Sequence, residues 1–265
     1  MRRLVLLFLL FPLFAHAQVP LFNNYTTPEG LEDASPSFTA DGQAMVFARY
    51  KDWSKKVPYM AYRAAGKWYQ KRLHFVDTLY NLAISPGSTR IVYTAFENHD
   101  SSAVQVPYFV DRRTIMDWTR PTKLEPLVGM GASYFQIMKD GSLLFYASHP
   151  KNGIYTSTPI NDTTYSTPQW LSDAVSLPDS DSFDIFMHEN RDKLIISQYY
   201  NEKKYPDRGA VGLYYYEKID GTWQRIKRLP LPYTWGGTIT ADNKFVFVLD
   251  GILQYVPLEE LDIDW

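Results

Sequence analysis

Residues 36–48, Pro-Ser-Phe-Thr-Ala-Asp-Gly-Gln-Ala-Met-Val-Phe-Ala, decide the fold. Asp41-Gly42 separates two short apolar runs, and both residues suit a tight turn because they tolerate left-handed backbone angles or bond to their own main chain. The stretch reads as a β-hairpin. Four further segments align with it without gaps: NLAISPGSTRIVYTA (81–95), YFQIMKDGSLLFYAS (134–148), DIFMHENRDKLIISQ (184–198) and GTITADNKFVFVLD (237–250). The turn anchor falls at Asp41, Gly87, Asp140, Asn190 and Asp242, so the repeat is 46–53 residues long. Three positions earlier stand Phe38, Ile84, Ile137, Met187 and Ile239, and six later Phe47, Tyr93, Tyr146, Ile196 and Val248. Such a period marks an architecture whose units bury their faces on one another.

A third apolar-aromatic run follows in every copy, as in Tyr59-Met60-Ala61-Tyr62 and Gly212-Leu213-Tyr214-Tyr215-Tyr216. A fourth strand follows in the first four copies, ending at Leu73, Leu124, Leu171 and Leu229. Four antiparallel strands repeated around a circle make an all-β propeller. Five four-stranded blades are expected, with six as the alternative count. The turn in Thr39-Ala40-Asp41-Gly42, with its apolar and aromatic flanks and the Ile-Tyr or Leu-Tyr strand beyond, resembles the WD40-like (PD40) repeat of the TolB-type propeller family. The resemblance covers roughly residues 34–256. It implies a propeller and, by analogy, a periplasmic binding or scaffold role, or the non-catalytic propeller of a peptidase. Pro86-Gly87 and Asn190-Arg191 depart from the Asp-Gly pair, and five repeats are fewer than the six or more usual in such propellers.

The fifth copy has three clear strands before Pro257–Trp265. Val19-Pro20-Leu21-Phe22-Asn23-Asn24-Tyr25 resembles the segments that enter other blades, so this amino-terminal stretch is expected to pair with the fifth blade and close the circle without an exposed edge.

Arg2-Arg3, the apolar run Leu4–Phe14 and Ala15-His16-Ala17 form the pattern of a cleaved signal peptide over residues 1–17. Eleven apolar residues fall short of the ~20 that span a bilayer as a helix. The remainder, 18–265, is expected to be one propeller domain in the periplasm or secreted, with no transmembrane segment. Loss of the leader's two arginines takes the net charge from −2 to −4, a balance that argues against nucleic acid as partner. The chain has no cysteine, which excludes disulfides, thiolate metal sites and a lipidated amino terminus.

Catalytic signals are thin. The histidines lack metal-ligand spacing, and no nucleophile elbow, Walker loop or dinucleotide fingerprint occurs. No metal, cofactor or catalytic residue is expected. Asp33, Asp77, Asp181 and Asp184 precede innermost strands, where the funnel acids of a propeller glycosidase would stand. Since Asp is a preferred loop residue, they read as turn or rim positions. The starts of the innermost strands and the loops between second and third strands share one face of the disc. Trp53, Tyr80, Asn81, Tyr134, His149, Asp184, Tyr200 and Trp235 are the binding residues expected there. Aromatic faces beside hydrogen-bonding groups suit peptide or sugar recognition. The leading expectation is a non-catalytic binding or scaffold protein for a protein or peptide. The alternative is a carbohydrate-active propeller, either a lectin or a divergent glycosidase. Gly236-Gly237, after Trp235, leaves room for a ligand or a close neighbouring backbone.

Overall fold

The computed structural model describes residues 25–99, 102–115 and 117–265. The fold is a five-bladed β-propeller built from antiparallel sheets. The first blade comprises β1 (Glu32–Phe38), β2 (Ala44–Tyr50), β3 (Val57–Ala64) and β4 (Lys67–Arg72). The second is β5 (Asn81–Ile84), β6 (Arg90–His99), β7 (Ser102–Asp111) and β8 (Thr122–Lys123), and the third β9 (Ser133–Ile137), β10 (Leu143–Ala147), β11 (Gly153–Ser157) and β12 (Gln169–Trp170). The fourth is β13 (Ser180–Met187), β14 (Lys193–Tyr200), β15 (Gly212–Ile219) and β16 (Thr222–Arg228). In the fifth, β17 (Trp235–Ile239), β18 (Lys244–Leu249) and β19 (Ile252–Pro257) are the three strands found among the described residues. Residues 18–24, expected to complete that blade, lie outside the described residues, as does the leader.

The repeated turn works by conserved geometry rather than conserved residues. Gly42, Ser88, Gly141, Arg191 and Asn243 occupy the same place one residue past the anchor, and all five have φ between 57° and 82°. Where Asp-Gly is lost, another side chain holds the loop: Ser85 Oγ accepts the N–H groups of Thr89 and Arg90, each at 2.9 Å. His188 Nδ1 accepts the N–H of Asn190 at 3.2 Å.

Alternate residues of a strand face opposite sides, and in each blade both sides are buried. Met45 and Phe47 of β2 pack with Val246, Val248 and Leu253 of the fifth blade, while Val46 and Ala48 pack with Leu82, Ile84 and Tyr93 of the second. In β15, Tyr214 and Tyr216 face the third blade and Tyr215 faces the fifth. Each junction between neighbouring blades has its own apolar cluster, including the junction of the fifth with the first. The circle is therefore closed by packing, supported by the Asp33 N–H donated to Gly251 O at 2.8 Å. Tyr25 sits in this closing seam, its ring 5.7 Å from that of Phe47. No helix among the described residues is long and apolar enough to cross a membrane.

Candidate active site

A channel of about 430 Å³ runs along the innermost strands of all five blades. At its inner end lie Ser35, Asn81, Tyr134, Asp184 and Gly236, each six residues before its turn anchor. Four of these five positions share a distortion. Ser35, Tyr134, Asp184 and Gly236 have φ between 50° and 71°, and the pairing register of β1, β9, β13 and β17 slips at each of them. A bulge of this kind re-aims a side chain. Left-handed angles at Ser35, Tyr134 and Asp184 each cost about 1–3 kcal/mol, which the surrounding packing must sustain. Asn81 reaches the same level from an unbroken register.

The innermost strands are laced together around the channel. Ile84 N–H donates to Ser37 Oγ, Tyr134 N–H to Asn81 Oδ1, and Met187 N–H to Gln136 Oε1, at 3.1, 3.0 and 2.7 Å. Gly236 N–H donates to the Asp184 carboxylate. Asn81 and Asp184 each spend one polar atom on the neighbouring blade and have one left. Asn81 Nδ2 and Asp184 Oδ2 are buried and have no hydrogen-bond partner among the described residues, although the side chains are only 1% and 8% exposed. A buried polar atom without a partner is costly in a fold and points to something the site receives.

Burial pushes the Asp184 carboxyl up to about 7, against the lowering influence of the Gly236 N–H and of Lys56. Lys56 is 3% exposed, and burial brings its amine down to about 8 while Asp184 opposes the shift. Both groups therefore exchange protons near neutral pH, the condition under which acid–base chemistry is most effective. Lys56 Nζ donates to Tyr80 O at 3.2 Å and lies over the rings of Trp53 and Tyr80, 3.3 and 4.6 Å from their centres.

Above the channel's inner end, aromatic side chains form a belt that passes through every blade. Tyr199 meets Tyr233 at 5.9 Å between ring centres, Tyr233 meets Trp235 at 6.3 Å, and Trp235 meets Trp53 at 6.5 Å. Lys56 bridges Trp53 to Tyr80; Tyr80 meets Tyr134 at 5.6 Å, and Tyr134 meets Phe183 at 5.3 Å, returning the belt to the fourth blade. The Tyr80 and Tyr134 hydroxyls are 2.6 Å apart. Burial raises both phenols, so they stay protonated and polar without charge. Burial also pushes Tyr233 up to about 12.

Trp53, Tyr80, Asn81, Tyr134, Asp184 and Trp235 thus lie together. Two of the expected binding residues lie elsewhere. Tyr200 is buried at the end of β14, its hydroxyl donating to Arg208 O at 2.8 Å, so it pins the 201–210 loop. His149 is exposed on the loop after β10, its backbone N–H donated to Met130 O. The reading of the four acids as turn or rim residues is corrected for two of them. Asp184 is inside β13 and buried, because the bulge turns it towards the channel. Asp33 is also fully buried, forked onto Arg49 at 2.7 and 2.8 Å and bonded by Tyr25 and Thr27 hydroxyls at 2.6 and 2.9 Å. Its oxygens are consumed by structure. Asp77 is exposed, and Asp181 accepts from Asn152 Nδ2 at 2.9 Å. The glycine pair admits protein, not ligand: a Cβ on Gly237 would stand 2.6 Å from Phe245, and one on Gly236 3.1 Å from Val248 and 3.2 Å from Pro36.

Sequence reasoning missed Lys56 and Tyr233. Lys56 reads as one more charge in the loop Lys51–Lys56, and its burial follows from the way Tyr50, Trp53 and Tyr80 close around it. Among the described residues no cluster of three or more His, Asp or Glu comes together as metal ligands.

No protein-family model matches the chain, and no curated protein does. Solved structures do. A thermostable family-43 glycoside hydrolase is 13% identical, with 87% of this chain and 91% of that one covered at a TM-score of 0.53. A gluconolactonase of Xanthomonas campestris is 12% identical over 85% of this chain and 71% of that one, with a TM-score of 0.52. A puromycin-hydrolysing peptidase of Mycobacterium tuberculosis is 12% identical over 88% of this chain, which spans 36% of that enzyme, with a TM-score of 0.51. At these identities the likeness establishes the fold, a propeller shared with enzymes. The TolB-type resemblance rests on the turn motif alone. The expectation of a non-catalytic binding or scaffold protein with a protein or peptide partner is corrected here. The three propellers described above are parts of enzymes, and the channel's inner end holds a buried carboxyl pushed up to about 7.

Proposed function

We propose that this protein is a carbohydrate-active hydrolase in which Asp184 transfers the proton. The observation that carries the reading is the Asp184 carboxyl itself: buried at the inner end of the channel, pushed up to about 7, with Oδ2 left unpartnered. A carboxyl in that state is part protonated at neutral pH and serves both halves of a hydrolysis. As the bond from the sugar carbon to its leaving oxygen breaks, the proton of Asp184 moves to that oxygen and a carboxylate remains. Water then adds to the sugar carbon, and its proton returns to Asp184. Asn81 Nδ2 supplies a donor to a sugar hydroxyl at the same level. The amino-terminal pattern Arg2-Arg3 and Leu4–Phe14 supports placing the activity in the periplasm or outside the cell, and the turn motif supports kinship of the scaffold with TolB-type propellers.

The test is hydrolysis of a panel of disaccharides, of methyl pentosides and hexosides and of sugar lactones by wild type and Asp184→Asn. Asparagine keeps the acceptor for Gly236 N–H and removes the transferable proton. The expected result is turnover by wild type and a loss of at least about 100-fold in kcat for the variant. Sugar binding without turnover by wild type, or full turnover by the variant, overturns the reading.

A further inference from the structure

The channel and the aromatic belt lie on opposite sides of the Asn81–Tyr134–Asp184 level. Tyr134 belongs to both, but Trp53, Lys56, Tyr80 and Trp235 do not line the channel; Trp53 meets Trp235 ring to ring, and Lys56 stands between Trp53 and Tyr80. The lining instead continues from Asp184 to the opposite face of the disc, reaching Ala40, Lys139, Glu189, Ala241, Asn243 and Trp265 beside the hairpin turns. Ala40 and Ala241 are exposed there. Trp265 and Asn243 both line this end of the channel, the indole ring 5.8 and 5.5 Å from those of Phe186 and His188. An aromatic face beside a hydrogen-bonding group is suited to a sugar ring.

On the reading that the protein is a carbohydrate-active hydrolase, we propose that its substrate enters through the turn face, past Trp265, and is taken end-on, so that the enzyme acts on the ends of glycan chains or on short saccharides. Two observations carry this. The unpartnered Asn81 Nδ2 and Asp184 Oδ2 are at the end of the channel remote from that entrance, beneath the belt, so a reacting group must travel inward to reach them. A volume of about 430 Å³ is at the small end of the ~300–1,000 Å³ range of ligand pockets, and the lining ends at the Asn81–Tyr134–Asp184 level, which fits a chain end better than a chain threaded through.

Entry is tested without reliance on turnover, since the chain has no cysteine of its own. A single Ser37→Cys substitution puts a thiol in the channel lining, and methyl methanethiosulfonate is the probe. Adding Ala241→Trp, at the exposed turn-face rim, is expected to slow labelling at least tenfold, whereas adding Trp53→Ala, which thins the belt, is expected to leave the rate within twofold. Near-unchanged labelling with Ala241→Trp, or faster labelling with Trp53→Ala, overturns entry by the turn face. End-on action is read from products: an oligosaccharide of six sugar units capped at both ends is expected to resist cleavage, while the uncapped chain loses one or two units at a time. Internal cleavage of the capped chain overturns the chain-end inference and leaves the hydrolase reading intact. Absence of turnover on every substrate sinks the hydrolase reading and with it the chain-end inference, while the labelling rates still decide the entrance.

Discussion

The Lys56 ammonium nitrogen stands 3.3 Å from the centre of the Trp53 indole. Trp53 is 49% exposed, yet it covers a lysine with almost no exposure of its own. A surface residue therefore maintains a buried charge. Trp53→Ala is expected to leave the fold intact and to let water reach the amine. Because burial is the main cause of the low Lys56 pKa, that pKa should rise from about 8 towards the ordinary lysine value of 10.5. NMR titration of the lysine side chain reads the shift directly, and an unmoved titration would show that the belt shields Lys56 without Trp53.

Asp184 makes stability depend on pH in a sense opposite to that of an ion-paired aspartate. Its native pKa of about 7 exceeds the ordinary aspartate value of 3.8, so the native state binds the proton more tightly and wild-type stability falls as pH rises from about 4 to 7. Asp184→Asn removes this dependence. The variant's melting temperature should overtake that of wild type across the interval, with a free-energy difference of a few kcal/mol at pH 7. Lys56 contributes only at higher pH, where its depressed pKa makes stability rise between about 8 and 10.5. Parallel melting curves for the two proteins from pH 4 to 7 would contradict the assignment.

Asp33 and Arg49 separate a structural acid from a reactive one. Asp33→Asn leaves Arg49 buried without a counter-charge and should cost about 3–5 kcal/mol. Combining Asp33→Leu with Arg49→Met removes both charges and should recover much of that loss. Chemical denaturation measures the stabilities, and turnover should survive in the double variant. Loss of turnover with restored stability would bring Asp33 into the chemistry.

Tyr25 and Thr27 both donate to Asp33 at the seam where the fifth blade meets the first. Tyr25→Phe should cost about 1–3 kcal/mol, because the Asp33 oxygen loses a charged hydrogen bond in a buried place. Deletion of residues 18–27 removes both hydroxyls and should lower the melting temperature well beyond Tyr25→Phe. Equal effects of the two changes would mean that residues 18–24 add nothing to closure.

Phe47 tests whether the non-covalent seam is a load shared with the other junctions. Phe47→Ala opens a cavity between the fifth and first blades and should cost about 3–5 kcal/mol. Phe145→Ala, its counterpart between the second and third blades, should cost a similar amount. A much smaller effect at Phe47 would indicate that the circle can open locally while the remaining blades stay folded.

The sequence by itself determined the repeat and led to five blades, with six left open. These follow from local rules: a residue able to take a left-handed angle one place past each anchor, and apolar residues alternating on both sides of every blade. Even Ser88 and Arg191 obey the turn rule, although neither is glycine. The turns of the third and fifth copies are, however, one residue shorter between paired strand residues, so Tyr146 and Val248 face the opposite way from Phe47. Trp53 and Trp235 were legible as neighbours because strand starts and second-to-third-strand loops must share a face. What only the tertiary structure decided is burial. Asp33 and Asp184 are the same residue type in similar positions. One is buried against Arg49 and two hydroxyls; the other is turned by a bulge towards a channel with a free oxygen. Lys56 becomes a low-pKa amine because Tyr50 and Trp53 of its own blade and Tyr80 of the next enclose it. Desolvation and partnership depend on what the other blades bring within a few ångströms, and no local pattern of residues encodes that distance.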